Sequence, residues 1–160
     1  KITVDTVQNF LSFLQSAFLI YKVQRYDLKG KKHLEFLEKY YMGDIGIRNG
    51  FIGYRDNDIS GILENIVFLE LLFRGYNVSI GKLNNLEIDF VAEKSGTVEY
   101  FQVTYLLASD DTIEREFKPL EKLKDNYTKT IMSMDKFQII NRNGIKNVYL
   151  IDWLLESNDT

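Results

Sequence analysis

The sequence predicts an α/β fold, and three observations carry the prediction. Apolar residues recur at helical spacing from residue 59 to 73, three strand-like runs follow between 76 and 106, and the remainder returns to helical and then strand-like patterning. With 160 residues and 45% hydrophobic content, the chain has enough apolar material for a core. No run of about 18 apolar residues occurs, and no basic stretch followed by an apolar segment opens the chain, so neither a membrane span nor an export signal is expected. A cytoplasmic setting follows from that expectation. The lack of cysteine excludes disulfides, thiolate nucleophiles and Cys-type zinc sites, and the single His33 excludes His-rich metal sites and counts against an imidazole triad. Lys1 stands where an initiator methionine would, so the sequence is expected to be a fragment of something longer.

The elements can be justified in order. Val7, Phe10, Leu11, Leu14, Ala17 and Phe18 lie at helical spacing, with Thr3 or Asp5 as the cap, which predicts an amphipathic helix over residues 4–18. Leu19 to Tyr26 is rich in aromatic and β-branched residues, Asp27 to Lys32 has hairpin-turn composition, and Lys39 to Met42 reads as the returning strand. A helix followed by a basic-tipped hairpin is the back half of a winged-helix module, so residues 1–50 are expected to form part of one. Gly43, Gly46, Gly50 and Gly53 punctuate a connection, with a helical turn around Ile45 to Asn49.

A second domain is expected over residues 58–160. Its first helix is apolar on more than one face, which implies burial against a sheet, and Arg74-Gly75 supplies the stop. Strands are predicted at 76–81, 87–93 and 97–106, the last two joined by a turn at Ser95-Gly96. A helix follows from Asp110 to about Leu123, which Pro119 is expected to kink or divide. Strands at 130–134 and 147–151 and a helical turn at Trp153 to Leu155 complete the order: helix, three strands, helix, two strands.

The chemistry centres on two of these strands. Thirteen positions separate Asp89 from Gln102, the first on one strand and the second opening Gln102-Val103-Thr104 on the next. An acidic residue followed by a polar-x-polar pair is the layout of a metal-dependent nuclease site. Alternate strand residues share a face, so Glu87 goes with Asp89, and Gln102 and Thr104 go with Tyr100. If the strands are adjacent, Asp89 and Gln102 converge and Glu64 reaches them from the preceding helix. Glu64, Asp89 and Gln102 are therefore the candidate metal ligands, hard oxygen donors suited to Mg²⁺. A nuclease also needs a cation to position water and offset charge on the phosphate. Thr104 stands where that lysine belongs, so Glu64, Asp89, Gln102 and Thr104 make a degenerate catalytic set. Lys82 and Lys94 near the strand ends are read as solvated turn lysines. The competing account gives Asp89 a nearby basic partner and gives Gln102 and Thr104 ordinary hydrogen bonds.

Charge is unevenly spread. Residues 1–57 hold nine Lys or Arg against six acids, a balance of +3, while the remainder holds 11 against 17, a balance of −6. The nuclease-like part therefore repels a phosphate backbone unless a metal or a local basic groove offsets it. Lys29, Lys31 and Lys32 at the hairpin tip are the candidate nucleic-acid contacts, weighed against a turn kept soluble by its charge.

Three runs carry a resemblance: Lys39 to Asn49, Gly61 to Tyr76, and Glu87 to Lys94, extended by Arg115-Glu116-Phe117 and Asp125-Asn126-Tyr127. They resemble the C-terminal region of prokaryotic AAA-type ATPases, which join a P-loop ATPase to a winged-helix segment and a restriction-endonuclease-like domain of unassigned function. The resemblance covers nearly the whole chain. It implies a restriction-endonuclease-like core, an N-terminal ATPase domain of the same protein as partner, DNA as a further partner, and ATP bound only by that other domain. Many members show Glu-Val-Lys where this chain has Gln102-Val103-Thr104, and no Gly-x-x-x-x-Gly-Lys-Ser/Thr run occurs here. The expected function is thus a noncatalytic or degenerate nuclease-like domain that recognises nucleic acid or a partner. The alternatives are a Mg²⁺-dependent nuclease with a modified site and a structural assembly module.

Overall fold

The structure, a computed structural model, describes residues 2–34, 38–136 and 141–156. Lys1, on which the fragment expectation rests, lies outside them. The fold is mixed α/β. Helix α1 (Val4–Ser16) is capped by Thr3, whose hydroxyl accepts from the Thr6 N–H at 3.2 Å. Strands β1 (Ile20–Val23), β2 (Arg25–Asp27), β3 (Lys32–His33) and β4 (Lys39–Met42) follow. The hairpin anticipated around Asp27 to Lys32 is the β2–β3 turn, and β4 returns antiparallel to β1.

After α2 (Ile45–Ile52) come α3 (Ile59–Phe73), β5 (Asn77–Leu83), β6 (Leu86–Lys94), β7 (Thr97–Val103), α4 (Asp110–Glu121), β8 (Thr128–Ser133), β9 (Asn141–Arg142), β10 (Ile145–Tyr149) and α5 (Leu150–Leu155). Ser95 and Gly96, both at positive φ, close the β6–β7 hairpin as predicted. Strand β9 is absent from the sequence expectation, although Asn143-Gly144 is the dipeptide that closes such hairpins. Pro119 does not divide α4, which runs on to Glu121. It lies so near the helix end that few turns remain for it to disrupt.

Eight strands form one sheet in the order β3-β2-β5-β6-β7-β8-β10-β9, and β1 and β4 form a separate pair. The β5-β6-β7 meander is antiparallel, while β8 runs parallel to both β7 and β10. Strand β2, from the segment expected to be a winged-helix part, pairs parallel with β5 and so shares the main sheet. One face carries α3: Leu63, Val67, Phe68 and Leu71 pack with Ile80, Phe90, Phe101 and Val103. The other carries α4: Phe117 and Leu120 pack with Ile88, Val91, Tyr100 and Ile131. Among the described residues, no helix is long and apolar enough to cross a membrane.

The sheet is irregular where the chemistry was expected. Ser79 pairs with Val91 and Gly81 with Ile88, so Ile80 alone faces both Asp89 and Phe90. This is a β-bulge, which breaks side-chain alternation. Ile88 and Phe90, two residues apart, consequently belong to the cores on opposite faces. Gly81 is required here, since a Cβ would meet Ile88 Cβ at 2.9 Å and Val91 Cγ2 at 3.0 Å. Beyond the Phe90–Phe101 pair, β6 and β7 have no further paired residues, while β7 continues along β8 to Val103–Met132.

Candidate functional site

The bulge and the parting of β6 from β7 create a polar centre at the sheet. Because the ladder stops, the Val103 N–H has no strand partner on the β6 side. The Asp89 carboxylate takes its place, with Oδ2 accepting from Val103 N at 2.8 Å. Helix α3 brings Glu64 to the same region while its apolar residues bind the sheet. Asn65 then clips β4 to α3: its carbonyl accepts from the Met42 N–H and its amide donates to the Met42 carbonyl, both at 2.8 Å. Alternation along β4 turns Lys39 and Tyr41 towards Glu64 together.

The resulting contacts are close. The Tyr41 ring stacks on Phe68 at 4.4 Å between centroids, and its hydroxyl donates to Glu64 Oε1 at 2.5 Å. Lys39 Nζ donates to that same oxygen at 3.0 Å and lies 2.7 Å from Glu87 Oε1. Arg25, on β2, approaches the other Glu87 oxygen at 2.8 Å. A chain of alternating charge thus runs Arg25, Glu87, Lys39, Glu64.

The electrostatics follow this geometry. Burial opposes the Lys39 ammonium, but Glu64 and Glu87 outweigh it and hold its pKa above the ordinary value. Burial likewise opposes the Glu87 carboxylate, and hydrogen bonds from Lys39 and Arg25 overcome it, lowering its pKa. Burial and then the Glu64 charge push the Tyr41 phenol far up, so it acts as a neutral donor. Asp89 is the exception. Burial, followed by the Glu64 charge, raises it to about 7, against the opposing pull of the Val103 N–H and Lys39.

Gln102 looks elsewhere. Its amide nitrogen donates to Glu116 Oε2 on α4 at 3.1 Å, and its oxygen faces the Asp89 backbone N–H at 3.4 Å. Glu116 is buried, and its other oxygen takes two bonds from the exposed Arg115. Thr104 is buried too, its N–H bonded to the Met132 carbonyl at 2.9 Å. Of the four sequence candidates, Glu64 and Asp89 are brought within electrostatic reach on the α3 side, while Gln102 serves the α4 side.

Lys39, Tyr41 and Glu116 are the site residues that sequence reasoning missed. Lys39 lies 25 positions from Glu64, and no local spacing joins them. The alternation Lys39-x-Tyr41 in a strand is the one available signal.

The hairpin lysines Lys29, Lys31 and Lys32 are exposed on the β2–β3 turn, with Lys31 at φ 52°. Lys29 lines a groove against α4, away from the polar centre. Among the described residues Lys82 and Lys94 form no ion pair, and Lys94 lies over the Tyr76 ring at 5.8 Å.

A Mg²⁺ ion needs several oxygens facing one point. Here Glu64 Oε1 is held by Lys39 and Tyr41, Asp89 Oδ2 by Val103, and the Gln102 amide is engaged by Glu116 and Asp89 N–H. Among the described residues no group of three or more His, Cys, Asp or Glu side chains is arranged to hold a metal ion. Each of the three expected ligands thus already has protein partners.

Comparison with known proteins adds relatives but no activity. A family described as a domain of unknown function (DUF8612) matches residues 1–58. An uncharacterized protein of Haemophilus influenzae is 39% identical over 151 residues, covering 94% of this chain and 37% of that protein. An uncharacterized protein of Methanocaldococcus jannaschii is 35% identical over 130 residues, covering 78% of this chain and 28% of that protein. No solved structure matches the chain. The chain therefore spans little more than a third of the first of these relatives and under a third of the second.

Proposed function

We propose that this chain is a noncatalytic, restriction-endonuclease-like domain of a longer AAA-type ATP-binding protein, and that it recognises a partner rather than cutting nucleic acid. The observation that carries the reading is the position of Lys39. Its ammonium bridges Glu64 and Glu87 beside the expected metal ligand Glu64, and the Tyr41 hydroxyl donates to the same Glu64 Oε1 that Lys39 bonds. A carboxylate cluster already neutralised by its own lysine gains little from a metal ion, because that ion must displace existing partners.

The element order supports the nuclease-like ancestry. The support is a helix, an antiparallel three-strand meander, a second helix on the opposite face and two parallel strands. The AAA-type context rests on the sequence resemblance, and the greater length of the relatives leaves room for a further domain. Fold alone does not fix activity.

The test is cleavage of labelled DNA and RNA with Mg²⁺ or Mn²⁺, comparing the chain with Asp89→Ala. No cleavage by either protein is the expected result. Metal-dependent cleavage abolished by Asp89→Ala would establish the rival, a nuclease in which Lys39 substitutes for the lysine that Thr104 cannot supply.

A further inference from the structure

We infer that the groove between the β2–β3 turn, the β5–β6 turn and the C-terminal end of α4 is a docking site for an acidic, leucine-bearing peptide segment. The groove has a volume of about 860 Å³. Leu28, Leu83, Leu86 and Leu123 contribute its apolar lining, all of them half-buried. Two of these, Leu28 and Leu123, lean on the α4-side core, so that part of the floor is anchored to fixed structure.

Around this floor stand Lys29, Lys118, Lys122 and Lys124, all exposed. None forms an ion pair among the described residues, whereas Lys22, Lys39 and Lys129 all do. The one carboxylate in the lining, Asp125, is already held by Lys129 at 3.0 Å and by the Tyr100 hydroxyl at 2.9 Å. A chain of net charge −3 thus carries a local excess of positive charge around an aliphatic trough.

The chemistry of the lining selects the occupant. Single-stranded nucleic acid needs aromatic faces for its bases as well as cations for its phosphates, and the groove lining supplies the lysines but no aromatic side chain. Phosphates laid over leucines would lose hydration without compensation. An amphipathic peptide satisfies both parts, its leucines covering the floor and its Asp or Glu side chains meeting the lysines. This deepens the recognition reading and rests on it only for the kind of role. The groove is apart from the Glu64–Asp89 centre, so a cleavage result does not decide it.

Fluorescence anisotropy of the full chain, without metal, tests the proposal. The probe is a labelled peptide with leucines at helical spacing and glutamates between them. Binding is expected, weakened at least about tenfold by Lys118→Glu with Lys122→Glu and by exchanging the peptide glutamates for glutamine. A thermal melt confirms that the doubly exchanged chain still folds. Absence of peptide binding, binding indifferent to either exchange, or tighter binding of a DNA or RNA oligonucleotide lost on the same lysine exchanges would overturn it.

Discussion

The Lys39 ammonium lies 3.0 Å from Glu64 Oε1, although the two residues come from different elements and are held together by an asparagine clip one position further along α3. The same ammonium meets Glu87 at 2.7 Å. Two carboxylates therefore share one cation, Glu87 having Arg25 as a second. Lys39→Met removes the charge but keeps an apolar stem, and leaves Glu64 to Tyr41 alone. The pair is partly solvated, so the expected loss is about 1–3 kcal/mol, below the figure for a fully buried pair. Urea unfolding near neutral pH measures it. The exchange also frees Glu64 from its internal cation and leaves Glu87 with Arg25 alone, so Mn²⁺ titration by calorimetry should detect binding in Lys39→Met and none in the parent. Equal behaviour of the two proteins would deny Lys39 the role of a built-in counter-ion.

Asp89 sets a pH dependence of definite sign. Its carboxyl is raised to about 7 in the folded chain, while the unfolded chain titrates near the ordinary Asp value of about 4. Between those values the folded state binds the extra proton, so this group makes stability fall as pH rises through the window and level off above it. Asp89→Asn preserves an acceptor for the Val103 N–H and removes the titration. The variant should be more stable than the parent at about pH 8, by roughly 1–2 kcal/mol, with the difference shrinking towards about pH 5. Thermal melts across that range check it. A parent whose stability is flat across the window, or a variant that loses stability at high pH, would contradict the assignment.

How much of this was legible beforehand depends on whether the determining contacts are local. Apolar spacing located α3, and Ser95-Gly96 located the β6–β7 turn, because both signals lie within a few residues of the structure they specify. The same alternation correctly placed Tyr100 opposite Phe101 and Val103. It could not show that Asp89 and Phe90 share a bulge, which depends on pairing with a third strand, nor that Gln102 would meet Glu116 of α4 on its own face of the sheet. Lys82 and Lys94 are the lysines near the two strands in sequence. The one found beside Glu64 comes from β4, delivered by the Asn65 clip, and distance along the chain hides such a partner.

Gly81 makes the bulge possible. It sits opposite Ile88, where a Cβ would press on both Ile88 Cβ and Val91 Cγ2, with Leu28 Cδ1 a further 3.2 Å neighbour. Gly81→Ala should therefore cost about 1–3 kcal/mol through overpacking, despite the better intrinsic strand behaviour of alanine. Urea denaturation gives the number. An unchanged midpoint would mean that the strands separate freely at this point, and the bulge would lose its claim to hold Asp89 in position.

Gln102→Glu puts back the carboxylate that the nuclease-like motif lacks, and its outcome separates a dormant site from a remodelled one. The exchange replaces the amide that donates to buried Glu116 with a second acceptor only 3.1 Å from Glu116 Oε2, beside Asp89, whose carboxyl is itself raised to about 7. Two acids that close cannot both ionise cheaply, so one must hold a proton. The variant should lose about 2 kcal/mol at about pH 8 and distinctly less at about pH 5, the reverse of Asp89→Asn. It should gain no Mg²⁺-dependent cleavage, since the Lys39 ammonium still occupies Glu64. Cleavage appearing in Gln102→Glu alone would show that the amide was the last obstacle, and that the lysine assists the reaction instead of blocking it.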